Sequence, residues 1–208
     1  MRLAASASLF LLLVGPTSTP RTGTPSIPDA DRSRIAEAFR VADGVGDRIW
    51  PGWHAVPFAI LLITDSTEFL IHHPHPTSDF TPAGTDPALG PIWVRPRRLP
   101  VTLLATAPFV GGIPTIAVGR AEAVGQSSVE WVLTLLHEHF HQLQYGQPGY
   151  YAAVAALGLA HGDSTGMWML NYPFPYDSVP VVRAIDSLAA ALVTVLDAAR
   201  PGADAPAP

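Results

Sequence analysis

The hydrophobic pattern begins with a helical repeat. Residues 19–29 are rich in Thr, Ser and Pro and indicate a linker, after which apolar positions recur every three or four residues. These positions share one face of a helix: Ile35, Phe39, Ala42 and Val45. The pattern predicts a helix that begins at Asp29 or Asp31, weakens at Gly44 and ends before Pro51.

Short runs of β-branched, leucine and aromatic residues follow, each bounded by Gly, Pro or polar turn residues. They cover residues 58–63, 68–71, 92–94, 101–107 and 113–118. The polar segment Thr-Asp-Ser-Thr separates the first two runs, which predicts a hairpin. Together the runs predict a largely antiparallel sheet.

The period returns to that of a helix near residue 127. Ser127 or Ser128 can cap a helix, and Glu130 in the first turn suits the positive end of the helix dipole. An apolar stripe then continues until Gly146 and Pro148: Val132, Leu135, Leu136, Phe140 and Leu143. Residues 149–160 and 181–199 predict further helices.

This order of elements predicts an α+β fold, in which an N-terminal helix and a mainly antiparallel sheet pack on a long helix followed by further helices. The chain has 208 residues, 48% of them hydrophobic and 14% charged, which is enough for one sizeable core. We therefore expect a single domain over residues 30–200 and a disordered tail over residues 201–208.

Residues 1–18 have the pattern of a secretory signal peptide. Arg2 supplies a positive charge, an apolar run extends from Leu3 to Val14, and small residues follow. An uncleaved membrane anchor is the less favoured alternative, because the run is shorter than the roughly 20 residues that a span needs. We expect a secreted or extracytoplasmic protein with no stable membrane span after signal removal.

Charge and cysteine content narrow the classes of function. The net charge is −5, and the basic residues are Arg alone, mostly scattered singly, so nucleic-acid binding is not expected. The chain contains no Cys, which excludes disulfides and thiolate metal ligands. Any metal must therefore bind to His and carboxylates. The oligomeric state is left open.

One segment carries recognisable chemistry. His137 and His141 are four residues apart within a predicted helix, so their side chains project from the same face. Two imidazoles at this spacing can share one Zn²⁺, at about 2.0–2.1 Å from each nitrogen. Glu138 follows the first imidazole and is placed to take a proton from a water on the metal.

This segment resembles the zincin metallopeptidases, whose signature is His-Glu-x-x-His on a helix. The mostly apolar residues 134–143 around it are similar to the flanks of such an active-site helix. The resemblance implies a zincin-like fold and a zinc-dependent hydrolase that cleaves peptide bonds in peptide or protein substrates. Glu138 would be its catalytic base, and His137 and His141 would be metal ligands.

The chain departs from the known zincin subclasses at the third ligand. Where the metzincin pattern continues with a Gly and a third His, this chain has Gln144 and Gln147. The thermolysin-like pattern uses a later Glu, but no Glu follows Glu138.

Three downstream residues are candidates for the missing ligand. We favour Asp177, because it follows a loop long enough to fold back over the active-site helix, with Asp186 and His161 next. Asp177 is alternatively a helix N-cap. A further alternative is that the natural protein continues past residue 208 and supplies the ligand there.

Two other functions remain open. One is a metal-binding, non-catalytic domain or truncated pseudoenzyme; the other is an exported binding domain without metal. The zinc content of the purified protein separates the second from the metal-binding hypotheses.

Overall fold

The computed structural model describes residues 25–163, 168–169 and 172–198. The chain divides into two compact units, Met1–Tyr150 and Tyr151–Pro208. The predicted signal peptide and C-terminal tail lie outside the described residues, as does the first part of the linker. The expectation of one domain stays a prediction.

The first unit begins with helix α1, Asp29–Ile49. Asp29 and Asp31 lie in its first turn, where carboxylates interact favourably with the helix dipole. Ile35, Phe39 and Ala42 are on its buried face, as the repeat predicts. The helix runs through its glycines to Ile49, and a 3-10 helix, Trp53–Ala55, follows.

Six strands form one mixed sheet in the order β3-β4-β2-β1-β6-β5. Their bounds are β1 Ile60–Ile63, β2 Thr67–Ile71, β3 Thr81–Asp86, β4 Gly90–Pro96, β5 Leu104–Val110 and β6 Ile113–Gly119. Neighbouring strands pair antiparallel except β1 and β6, which are parallel. The α+β class, the mainly antiparallel sheet and the β1–β2 hairpin are confirmed.

Strand β3 is absent from the predicted elements. Its sequence, Thr-Pro-Ala-Gly-Thr-Asp, has low strand propensity, and its side chains are mostly exposed. It lies at one edge of the sheet and pairs with β4 alone, which is where Pro is tolerated in a strand.

Helix α2, Ser128–Gly146, packs with α1 on one face of the sheet. A capping box begins it, because Ser127 accepts from the Glu130 amide and the Glu130 carboxylate accepts from the Ser127 amide. Trp131 is fully buried, and its indole N–H donates to the Gly119 carbonyl at 2.9 Å. These contacts hold α2 in a defined position against β6.

The second unit contains most of α3, Tyr150–Ala156, and all of α4, Val179–Ala198. The large apolar side chains of α4 are exposed. Among the described residues, α4 is the one helix long and apolar enough to cross a membrane. It has 20 residues, and its most apolar 18-residue stretch has a mean hydropathy of 1.8. The expectation of no span after signal removal stays a prediction.

Candidate metal centre

Helix α2 brings His137, Glu138 and His141 together. The Nε2 atoms of the two imidazoles are 3.1 Å apart, and one ligand atom from each of the three residues lies within 4.8 Å of the others. Two nitrogens on one tetrahedral Zn²⁺ are separated by about 3.3 Å, given bonds of about 2.0–2.1 Å. Within the described residues, these three side chains are the one group of three or more His, Asp or Glu residues placed to hold a metal ion.

The hydrogen bonds of His141 favour the ligating tautomer. Its Nδ1 lies 2.6 Å from Oε1 of Gln144, and an amide oxygen accepts only, so Nδ1 carries the proton. Nε2 of His141 then has a lone pair directed at the neighbouring imidazole. In the absence of a metal, the Nε2 proton of His137 is shared with this lone pair of His141. A metal ion bound between the two rings would take the place of that proton.

Gln144 therefore supports the site, although in the sequence it is recognisable only as a departure from the metzincin pattern. Its position three residues after His141 is the signal that identifies it, since residues three apart are neighbours on a helix. The partner of a ligating imidazole sets both its tautomer and the orientation of its ring.

The Glu138 carboxylate is buried beside the imidazoles, with 6% of the residue exposed. The hydroxyl of Thr106, on strand β5, donates to its Oε2 at 2.7 Å. His137 is exposed and His141 is half-buried, so the side of the group that faces away from the core is open. No sequence motif marks Thr106, because only the tertiary fold brings β5 beside α2.

His139 lies on another face of α2, where it packs. Its ring stacks on Phe58 with centroids 3.9 Å apart, and its Nδ1 donates to Oε1 of Gln142 at 2.9 Å. The Gln142 amide in turn donates to the carbonyls of Ala59 and Pro114, which fixes its orientation. Burial lowers the pKa of His139 to about 4, so this imidazole is neutral at pH 7.

The candidates for the third ligand all belong to the second unit. Asp177 is exposed in the turn before α4, Asp186 is exposed on α4, and His161 is exposed in a turn with a φ of +46°. Asp177 is not the N-cap of α4, because Ser178 occupies the position before Val179. The structure does not test Asp177 as a ligand, and that assignment stays a prediction.

No family model, curated protein or solved structure matches the chain significantly. The zincin resemblance therefore rests on the His-Glu-x-x-His segment and the residues 134–143 around it.

Proposed function

We propose that the protein is an exported zinc-dependent hydrolase with a zincin-like fold that cleaves peptide bonds. The observation that carries the proposal is the pair of Nε2 atoms, 3.1 Å apart, beside a buried carboxylate on the same helix. The four-residue spacing of the two imidazoles on one helix brings these side chains together.

The donor set of the site suits zinc. His137 and His141 offer nitrogen ligands of borderline softness, and the site contains no thiolate. Bound Zn²⁺ would supply a Lewis acid that polarises the scissile carbonyl and makes water more acidic at neutral pH.

Glu138 is the group of this chain that moves a proton. Its carboxylate takes a proton from the attacking water as the water oxygen forms a bond to the carbonyl carbon. The same carboxyl group then delivers that proton to the amide nitrogen as the carbon–nitrogen bond breaks. An acid and an amine result, and Glu138 returns to its ionised form.

The position of β5 supports an extended peptide as the substrate. This strand lies at the edge of the sheet beside α2 and pairs with β6 on one side. An exposed edge can add an extended peptide as a further strand through main-chain hydrogen bonds. Pro108 has no amide hydrogen, so the segment before it is the better docking edge.

The location that we propose is extracytoplasmic. It is supported by the signal-peptide pattern of residues 1–18.

Glu138→Gln tests the mechanism. The amide keeps the size of the side chain but cannot act as a base, so we expect hydrolysis to fall about 10²- to 10⁴-fold. Zinc should remain bound at one ion per chain. The rates are measured on a library of quenched-fluorescent peptides, and the metal is measured by mass spectrometry in protein purified without chelator.

Glu37→Gln is the matched control, since this exposed glutamate pairs with Arg40 on α1. Its hydrolysis should equal that of the unmodified protein. Wild-type hydrolysis in Glu138→Gln would refute the mechanism. Stoichiometric zinc without any hydrolysis would instead favour the non-catalytic metal-binding domain, which the two-imidazole ligand set also accommodates.

A further inference from the structure

One hydroxyl of the sheet holds the proposed base. Thr106 Oγ1 lies 2.7 Å from Oε2 of Glu138 and 3.0 Å from the main-chain oxygen of the same residue. An ionised carboxylate and a carbonyl only accept hydrogen bonds, so Thr106 is the donor; its one hydroxyl hydrogen is shared between the two oxygens, with the shorter contact to Oε2. The 2.7 Å distance is in the range of a charge-assisted O–H···O⁻ bond.

This contact is shielded from water. Thr106 is 8% exposed and Glu138 is 6% exposed. A hydrogen bond to a charged group is stronger where the local dielectric is low, and water there is a poor substitute for a lost partner. Within the part of the chain that the structure describes, Thr106 is the one side chain that hydrogen-bonds to this carboxylate.

The bond distinguishes the two carboxylate oxygens. Oε2 is occupied by Thr106, and Oε1 has no hydrogen bond within the described residues. Oε1 is therefore the oxygen with both lone pairs left to accept a proton. The donor also restricts rotation of the carboxylate about its last bond, because intermediate angles would break the hydrogen bond from Thr106.

We infer that Thr106 is a positioning residue for Glu138, an inference that rests on the proposed hydrolase function. It holds the carboxylate in the orientation in which Oε1 meets the attacking water, and it acts only through Glu138. Because Thr106 lies on β5, the strand that would dock the substrate also orients the base.

Thr106→Val tests this role. Valine keeps the volume and β-branching that the strand requires and removes the hydroxyl. We expect kcat to fall about ten- to a hundredfold, the value of one hydrogen bond to a charged group, with KM and zinc content unchanged. Thr106→Ser keeps the hydroxyl and should restore most of kcat. Thr106→Ala, a second variant without the hydroxyl, should reproduce the loss if Thr106→Val does not fold.

Thr115→Val is the matched control. Thr115 is buried on β6, and its hydroxyl donates to the Ile113 carbonyl at 2.8 Å rather than to Glu138. Loss of the Thr115 hydroxyl should alter the stability of the protein and leave kcat unchanged.

The decisive measurement combines Thr106→Val with Glu138→Gln. A residue that acts only through the Glu138 carboxylate has no effect once that carboxylate is absent, so the double variant should be as slow as Glu138→Gln alone. An equal fractional loss in both backgrounds would overturn the inference, as would an unchanged kcat in Thr106→Val. If Glu138→Gln itself hydrolyses at the wild-type rate, the proposed function fails first.

Discussion

His139 and the pair formed by His137 and His141 lie within five residues on one helix, yet their surroundings are opposite. His139 is 2% exposed, stacks on Phe58, and has a pKa that burial lowers to about 4. The pair lies on the open side of the helix, with its Nε2 atoms facing each other. Successive residues of a helix are rotated by about 100°, so His139 faces nearly the opposite way from His137 and His141. The imidazole of His139 therefore packs in the core, whereas the other two imidazoles are available for ligation.

The largest expected effect is a difference in zinc binding between substitution of His141 and substitution of His139. His141→Ala should weaken zinc binding more than about 100-fold, because losing a ligand costs more than losing the hydrogen-bond partner of a ligand. His139→Ala should keep zinc and lose about 2–4 kcal/mol of unfolding free energy, since it leaves a cavity beside Phe58. Zinc titration and urea unfolding measure the two quantities.

His75→Ala is the control for removing an exposed imidazole. It should change neither zinc affinity nor stability appreciably. If His139→Ala lost zinc as fully as His141→Ala while remaining folded, the contrast between the two faces would be wrong.

The next largest effect is a loss of zinc affinity on substitution of Gln144, the hydrogen-bond partner of the proposed ligand His141. Gln144→Ala removes the acceptor that holds the proton on Nδ1 of His141. Such partners contribute about 10- to 100-fold to metal affinity, and we expect a loss in that range. Competition with a chelator of known affinity provides the measurement.

Gln147→Ala is the matched control, because the amide of Gln147 donates to the Leu143 carbonyl rather than to an imidazole. Equal zinc affinities in the two variants would show that Gln144 does not orient His141.

The smallest effect is a loss of stability in mild acid. As the pH falls below the ordinary histidine pKa of 6.5, the unfolded chain binds a proton at His139 that the folded chain binds only near pH 4. The unfolding free energy should therefore decrease as the pH falls, by on the order of 1–2 kcal/mol from this group between pH 7 and pH 5. His73 adds to the trend, because burial lowers its pKa as well.

Urea unfolding in chelator isolates this linkage from metal binding. His139→Phe keeps a ring against Phe58 and removes the titration, so its stability should depend less steeply on pH. The range from pH 7 to pH 5 excludes the titration of Asp79, because the Thr77 hydroxyl and Arg95 hold the pKa of that carboxyl group at about 2. An identical slope in His139→Phe would contradict the assignment.

Much of the architecture was predictable from local pattern. The helical repeats identified α1, α2 and α4 closely, because an apolar helical face repeats in sequence whether it is buried, as in α1 and α2, or exposed, as in α4. Strand β3 was missed, since an exposed edge strand has no buried face to record in its sequence. The parallel pairing of β1 with β6 was also beyond local pattern, because it joins segments more than fifty residues apart.

The sequence by itself determined that His137, Glu138 and His141 share one helix and that the two imidazoles project from one face, since helical geometry depends on spacing alone. Tertiary structure decided that Glu138 is buried, that Thr106 donates to it, and that His139 stacks on Phe58. Thr106 and Glu138 are 32 residues apart, and Phe58 lies in the segment between the 3-10 helix and β1. Contacts across such separations depend on how the sheet and helices pack, which no local repeat records.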